Sequence, residues 1–269
     1  MKVFCILSDG RAFKSKSPAM HTAVMKRYGI DGIYVPFAVE ADLVGDAVRG
    51  IRALSIEGAN VTVPYKETVI PYLDRLSEEA SEIGAVNTIV RRGSELVGYN
   101  TDSGGFCDAL KAVGFDLQGK PVMVLGTGGA AKALLHAVFR AKPGRVTLIG
   151  RNPDHAARLG AKFGCATMGL DDLRRTGESA ALLVNATSAS SPEEAPQLAE
   201  LIRGFRLDGC ELVVDLNYGR NQNFWQDMAK AVGASFMDGL PMLAHQARRS
   251  FELWTGIAAD AGEFLRLLL

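Results

Sequence analysis

Val122-Met123-Val124-Leu125-Gly126-Thr127-Gly128-Gly129-Ala130-Ala131 sets a short apolar run, a glycine turn and the opening of a helix in direct succession. Gly126 and Gly128 fall where a strand must turn into a helix, so they permit a tight turn and close approach of backbone amides to a diphosphate. A glycine-rich turn also serves simple helix–strand packing. Strand, loop and helix in this order favour the nucleotide reading, with the diphosphate held by Gly126, Gly128, Gly129 and Ala130.

Outward from that turn the pattern repeats. Apolar runs at Arg145–Ile149, Leu182–Asn185 and Leu212–Leu216 alternate with helical stretches, which predicts a doubly wound, Rossmann-type parallel sheet. The second strand ends in Gly150-Arg151-Asn152, with no acid in that first turn to accept from a ribose 2′-hydroxyl. Arg151 suits a 2′-phosphate, so NADP is favoured over NAD, although Asp154 lies close by.

Before the turn, Val3–Leu7, a helix after Pro18, Tyr34–Phe37, a helix after Asp42 and Gly58–Val63 read as βαβαβ. A strand pair at Ala85–Arg91 and Leu96–Tyr99 adds antiparallel character. The first domain is therefore expected to be α/β with a mixed sheet. Boundaries follow as 1–103 for substrate binding and catalysis, 104–238 for the nucleotide, and 239–269 as C-terminal helices returning to the first domain. Pro241–Trp254 carries Met242, Leu243, Ala247, Phe251 and Trp254 at helical spacing, which marks core.

The chain has 269 residues, enough for two domains, and its 30 Lys and Arg balance its 30 Asp and Glu. No global field favours nucleic acid or an anionic membrane. No apolar stretch approaches the roughly 20 residues of a membrane span. Cys5, Cys107, Cys165 and Cys210 show no metal-ligand spacing, so no metal is expected, and reduced structural thiols fit a cytoplasmic protein.

Two polar positions carry the chemistry. Asn60-Val61-Thr62-Val63-Pro64-Tyr65-Lys66 ends one strand in an ammonium, and Asn100-Thr101-Asp102 ends another in a carboxylate. Such a pair can move a proton, and beside a hydride carrier it implies reduction of a keto acid. An ordinary surface ion pair is the alternative. In Lys14-Ser15-Lys16-Ser17-Pro18, Pro18 suits the first helical turn and Ser17 its N-cap; capping does not explain Ser15, and the two hydroxyls could together hold a carboxylate at the helix start. His21 and His245 read as packing positions.

These motifs, together with Gly84-Ala85-Val86-Asn87-Thr88, Asn185-Ala186-Thr187 and Asp238-Gly239-Leu240-Pro241-Met242-Leu243-Ala244-His245-Gln246, resemble the shikimate and quinate dehydrogenase family over nearly the full length. The resemblance implies NADPH-dependent reduction of 3-dehydroshikimate to shikimate in aromatic amino-acid biosynthesis. It implies Ser15 and Ser17 on the substrate carboxylate, and Thr62, Lys66, Asn87, Asp102 and Gln246 around the ring, with Lys66 and Asp102 catalytic. It further implies Arg151 and Asn152 at the adenosine end and Tyr218 and Gly239 near the nicotinamide. Gly150-Arg151-Asn152 stands where the family commonly has Asn-Arg-Thr or Asn-Arg-Ser, and Ser188-Ala189-Ser190 replaces a Gly-Met ending. Partners are then small molecules, for a monomer or homodimer. Oxidation of quinate or shikimate with either nicotinamide stays open, as does a nucleotide-responsive binding protein without turnover.

Overall fold

The computed structural model describes residues 1–174, 179–203, 205 and 207–269, which fall into two units: Met1–Ala109 with Leu243–Leu269, and Leu110–Met242. In unit 1 the strands are β1 (Lys2–Ser8), β2 (Gly32–Ala38), β3 (Gly58–Val61), β4 (Arg75–Leu76), β5 (Thr88–Arg92) and β6 (Glu95–Tyr99). Its helices are α1 (Ser17–Arg27), α2 (Val44–Ala53), α3 (Glu78–Ile83) and α4 (Asp102–Ala112), the last running on into the unit 2 segment.

The unit 1 sheet has the order β2-β1-β3-β5-β6-β4 among the described residues. β1 pairs parallel with β2 and β3, whereas β5 is antiparallel to both β3 and β6. This mixture puts the C-terminal ends of β1, β3 and β6 and the start of β5 at one edge. That edge receives the polar motifs, and register partners Asn60 and Thr88 meet there.

Several local expectations change. The strand expected over Gly58–Val63 stops at Val61, because the Tyr65 N–H returns to the Thr62 carbonyl in a turn that contains the cis Val63–Pro64 peptide. Lys66 thus follows a turn rather than closing a strand, and Asp102 heads α4 rather than ending β6. Ser17 is not the N-cap of α1. Lys16 already has helical dihedrals and no side chain caps the helix; instead Ser15, in extended conformation, accepts the Ser17 N–H at 3.2 Å. The strand β4 and helix α3, whose Ser77 cap accepts from Ala80 N–H, had no counterpart in the sequence reading.

Unit 2 holds β7 (Val122–Leu125), β8 (Val146–Gly150), β9 (Ala166–Gly169), β10 (Leu182–Asn185), β11 (Leu212–Asp215) and β12 (Ser235–Met237), all parallel in the order β12-β11-β10-β7-β8-β9. Counted from β7 this is 3-2-1-4-5-6 read backwards, the dinucleotide-binding arrangement. Helices α5 (Gly129–Arg140), α6 (Pro153–Phe163), α7 (Pro196–Arg203) and α8 (Phe224–Val232) connect the strands. Every residue of β7 is buried, as expected of a parallel strand covered on both faces.

The chain ends in α9 (Leu240–Thr255) and α10 (Ala261–Leu265). Within unit 1, the Trp254 indole N–H donates to the Ile89 carbonyl at 3.0 Å, tying α9 to β5. Phe251 and Phe264 are fully buried with ring centroids 5.8 Å apart. His21 lies in the same cluster, stacked on Tyr34 with centroids 4.7 Å apart. Among the described residues neither of its ring nitrogens has a hydrogen-bond partner, and burial pushes its pKa down to about 3. A neutral imidazole is what such an apolar box accepts.

Candidate active site

Lys66 and Asp102 meet in unit 1. Lys66 Nζ donates to Asp102 Oδ2 at 2.6 Å, with only 12% and 7% of the two side chains exposed. An ion pair this buried is not the solvated surface contact that would carry little energy. Asp102 takes its place from the end of β6: Asn100 Oδ1 accepts the Asp102 N–H at 3.1 Å as the chain enters α4.

Asn87 fixes the other carboxylate oxygen. Its Oδ1 accepts the Thr101 backbone N–H at 2.7 Å, and a backbone amide can only donate. Its Nδ2 is therefore turned the other way, onto Asp102 Oδ1 and Thr101 Oγ1 at 2.9 Å each and Gln246 Oε1 at 3.2 Å. Gln246 is oriented in turn, because its Nε2 donates to the Leu243 carbonyl at 2.9 Å. One ammonium hydrogen is spent on Asp102, and the direction of that bond sets where the other two point.

The structure thus brings Lys66, Asn87, Asp102 and Gln246 into one hydrogen-bonded group. Thr62 lies at the same sheet edge, its N–H on the Leu7 carbonyl at 3.1 Å. Ser15 and Ser17 follow the neighbouring strand β1. Ser17 is buried and, without capping duty, its hydroxyl is free of the helix. Sequence reasoning missed Ser250, Thr88 and Tyr34, which lie behind this group. Ser250 is one helical turn beyond Gln246, and that spacing was the available signal.

In unit 2 the glycine turn has the shape a diphosphate needs. Gly126 sits at φ +113°, and a Cβ there would stand 2.8 Å from the Ala186 carbonyl oxygen, so no other residue fits without movement of backbone. A Cβ on Gly128 would meet open space, and α5 begins without a side-chain cap. The first-turn amides near Gly129 and Ala130 are accordingly available to an anion.

Arg151 is exposed just before α6. Asn152 caps that helix, its Oδ1 accepting the His155 N–H at 3.0 Å, so its Nδ2 is what remains for a ligand. His155 Nδ1 lies 3.3 Å from Thr127 Oγ1, joining the start of α6 to the glycine turn. Gly239 is buried against the residue that follows β11: a Cβ there would lie 2.1 Å from the Leu216 carbonyl oxygen. The Tyr218 carbonyl accepts from Arg220 at 3.0 Å.

Asp215 was also missed. It is fully buried and accepts from Asn185 Nδ2 at 2.8 Å, Asn223 Nδ2 at 2.7 Å and Asn217 Nδ2 at 3.0 Å. Asn185 and Asp215 are register partners on β10 and β11, so the sheet itself sets the first contact. The network pins the turn after β10 that abuts Gly126.

A 3-2-1-4-5-6 sheet with a bare glycine turn at its first strand, on a chain that also carries a buried ammonium–carboxylate pair, defines a nucleotide-dependent dehydrogenase. Comparison with known proteins narrows the class. Family models match at residues 11–89 (shikimate dehydrogenase substrate binding domain), 108–230 (shikimate / quinate 5-dehydrogenase) and 239–269 (shikimate 5′-dehydrogenase C-terminal domain). The shikimate dehydrogenase (NADP(+)) of Pyrococcus abyssi is 41% identical, covering 100% of this chain and 98% of its own. The Thermus thermophilus shikimate 5-dehydrogenase, crystallised with NADP(H) and shikimate, superposes with a TM-score of 0.87 at 36% identity, covering 99% and 98% of the two chains. The Aquifex aeolicus shikimate dehydrogenase gives a TM-score of 0.87 at 30% identity, covering 100% and 97%. This chain belongs to the shikimate dehydrogenase family.

Proposed function

We propose that the protein reversibly reduces 3-dehydroshikimate to shikimate with NADPH, within aromatic amino-acid biosynthesis. The observation that carries this reading is the 2.6 Å Lys66–Asp102 contact, with Asn87 holding the second carboxylate oxygen. Residues 1–109 and 243–269 form the substrate and catalytic unit, and residues 110–242 the NADP unit.

When bound, NADPH supplies a hydride to the ring carbonyl carbon. Lys66 hydrogen-bonds the carbonyl oxygen and gives it a proton as charge develops there, so that C=O becomes CH–OH. Asp102 orients the ammonium and balances its charge. In oxidation the same amine receives the hydroxyl proton. Ser15 and Ser17 hold the substrate carboxylate, while Thr62, Asn87 and Gln246 address ring hydroxyls. Gly126, Gly128, Gly129 and Ala130 would hold the diphosphate, Arg151 and Asn152 the adenosine phosphate, and Tyr218 and Gly239 the nicotinamide end.

The working protein is a cytoplasmic monomer or homodimer acting on small molecules. The four free cysteines fit a reducing compartment, and among the described residues no helix is long and apolar enough to cross a membrane. Cofactor absorbance followed with 3-dehydroshikimate, shikimate and quinate, each with NADP(H) and NAD(H), tests the reading. Fastest turnover is expected with the shikimate pair and NADP(H). No turnover with any combination would leave only a nucleotide-binding protein.

A further inference from the structure

Gln246 and Ser250 leave the same face of α9, one turn apart. Ser250 is fully buried, and its Oγ has four polar neighbours: Thr88 Oγ1 at 2.8 Å, and Asn60 Nδ2, Thr101 Oγ1 and the Gln246 carbonyl at 3.1 Å each. A helical serine kept only for local back-bonding needs just the last of these. The other three reach β3, β5 and the segment that leads into Asp102.

The carboxamides and the phenol fix the direction of part of this network. The Tyr34 phenol donates to Asn60 Oδ1 at 2.7 Å, which turns Asn60 Nδ2 toward the Asn87 carbonyl, Thr88 Oγ1 and Ser250 Oγ, each at 3.1 Å. A carboxamide nitrogen only donates, so a hydroxyl it reaches must send its own hydrogen onward. Thr88 has Asn87 Oδ1 at 3.0 Å, and Thr101 has Asn87 Oδ1 at 3.2 Å and Gln246 Oε1 at 3.4 Å. Tyr34 and Asn60 thus feed donors into a cluster of three hydroxyls, and that cluster meets Asn87 on both sides of its carboxamide: Thr88 and Thr101 Oγ1 lie against its Oδ1, and its Nδ2 donates to Thr101 Oγ1 at 2.9 Å. The Thr88 and Thr101 hydroxyls thus add to the Thr101 N–H at 2.7 Å on Asn87 Oδ1, and together they keep its Nδ2 on Asp102.

We propose that Ser250 is a positioning residue: its hydroxyl joins Asn60, Thr88 and Thr101 into one relay that holds Asn87 and Gln246 in the orientation the Lys66–Asp102 pair requires. The role rests on the dehydrogenase reading above and is exerted through the two carboxamides. Without the Ser250 oxygen, one of the Thr88 and Thr101 hydroxyls, which are 3.3 Å apart, can donate to the other and is lost to Asn87 Oδ1, leaving that oxygen more dependent on the Thr101 N–H.

The test compares S250A with S250T, which keeps the hydroxyl. For shikimate oxidation, S250A should lose about tenfold in kcat, more than KM changes, and S250T should keep at least about half of the wild-type kcat. A second readout needs no substrate: hydrogen-exchange protection of the Asn87 and Gln246 carboxamide protons, measured by NMR on the unliganded full-length protein, should fall in S250A. A lowered melting temperature with unchanged kcat and unchanged protection means Ser250 only packs, and overturns the proposal. If the wild type fails to oxidise shikimate, the dehydrogenase reading falls, and carboxamide protection alone decides: kept in S250A it overturns the relay, lost it supports it.

Discussion

Replacing Asp102 by asparagine tests the site at its centre. The carboxylate accepts on both oxygens, from Lys66 at 2.6 Å and from Asn87 at 2.9 Å. A carboxamide has one acceptor oxygen, so D102N sets its NH2 against either the ammonium or the Asn87 Nδ2, and both are donors. Breaking one side of a fully buried pair costs about 3 to 5 kcal/mol. Because Lys66 and Asp102 retain 12% and 7% exposure, water relieves part of this and brings the cost to the lower end, ~3 kcal/mol. Felt in the transition state, ~3 kcal/mol is about a hundredfold in kcat. K66A should lose at least as much, and the double variant should fall no further than the weaker single one, because the pair acts as a unit. Steady-state NADPH absorbance with 3-dehydroshikimate, on variants shown by circular dichroism to be folded, measures this. A folded D102N within about threefold of wild-type kcat would refute the role assigned to the pair.

Further outcomes follow from the same geometry. G126A forces a Cβ to within 2.8 Å of the Ala186 carbonyl at φ +113°, at a cost of about 1 to 3 kcal/mol, and NADPH affinity in a fluorescence titration should drop about 5- to 150-fold. R151A removes a charge-assisted contact of about 1.5 to 3 kcal/mol, so the Kd for NADPH should rise about tenfold or more while that for NADH stays put; equal losses would remove Arg151 from phosphate recognition. His21 gives a pH dependence. Its folded pKa, lowered by burial to about 3, lies below the 6.5 of the free side chain, so the unfolded chain binds a proton that the folded one refuses. The stabilisation is fully present above 6.5 and is lost as pH falls from there toward 3, at up to ~1.4 kcal/mol per unit. Between about pH 7.5 and about pH 5 the wild type should therefore lose ~2 kcal/mol more than H21F in urea unfolding, and equal losses would sink the account.

The sheet of unit 2 was legible because each strand is a short apolar run bounded by glycine or polar turns, and parallel strands covered on both faces carry that signal. The mixed sheet of unit 1 was legible for the same reason, except where the signal is weak. Arg75–Leu76 is too short to alternate, and Glu78–Ile83 spans fewer than two turns. Around Lys66 the β-branched residues Val61, Thr62 and Val63 kept the strand reading alive one turn too far. Hydrogen bonding of Thr62 to Tyr65 overrode that propensity. Ser17 looked like a cap because Pro18 follows it, but Lys16 is already helical and Ser15 takes the available N–H. Lys66, Asn87, Asp102 and Gln246 could be named from their motifs. Their convergence could not, since Gln246 reaches Asn87 across 159 residues of chain. Ser250 and Asp215 were invisible because a lone serine in a helix and a lone aspartate at a strand end have bland readings, and only three-dimensional neighbours distinguish them.

Unit 1 is completed by residues 243–269, which the ribosome makes after all of unit 2. Residues 110–242 form a continuous stretch that can fold as soon as it emerges, whereas β3 and β5 must wait for Trp254 to fill the space over Gly58 and to donate to Ile89. The nascent chain therefore carries an open apolar seam on its earliest-made sheet until the last helices arrive. Chaperone demand during translation should fall on the first hundred residues.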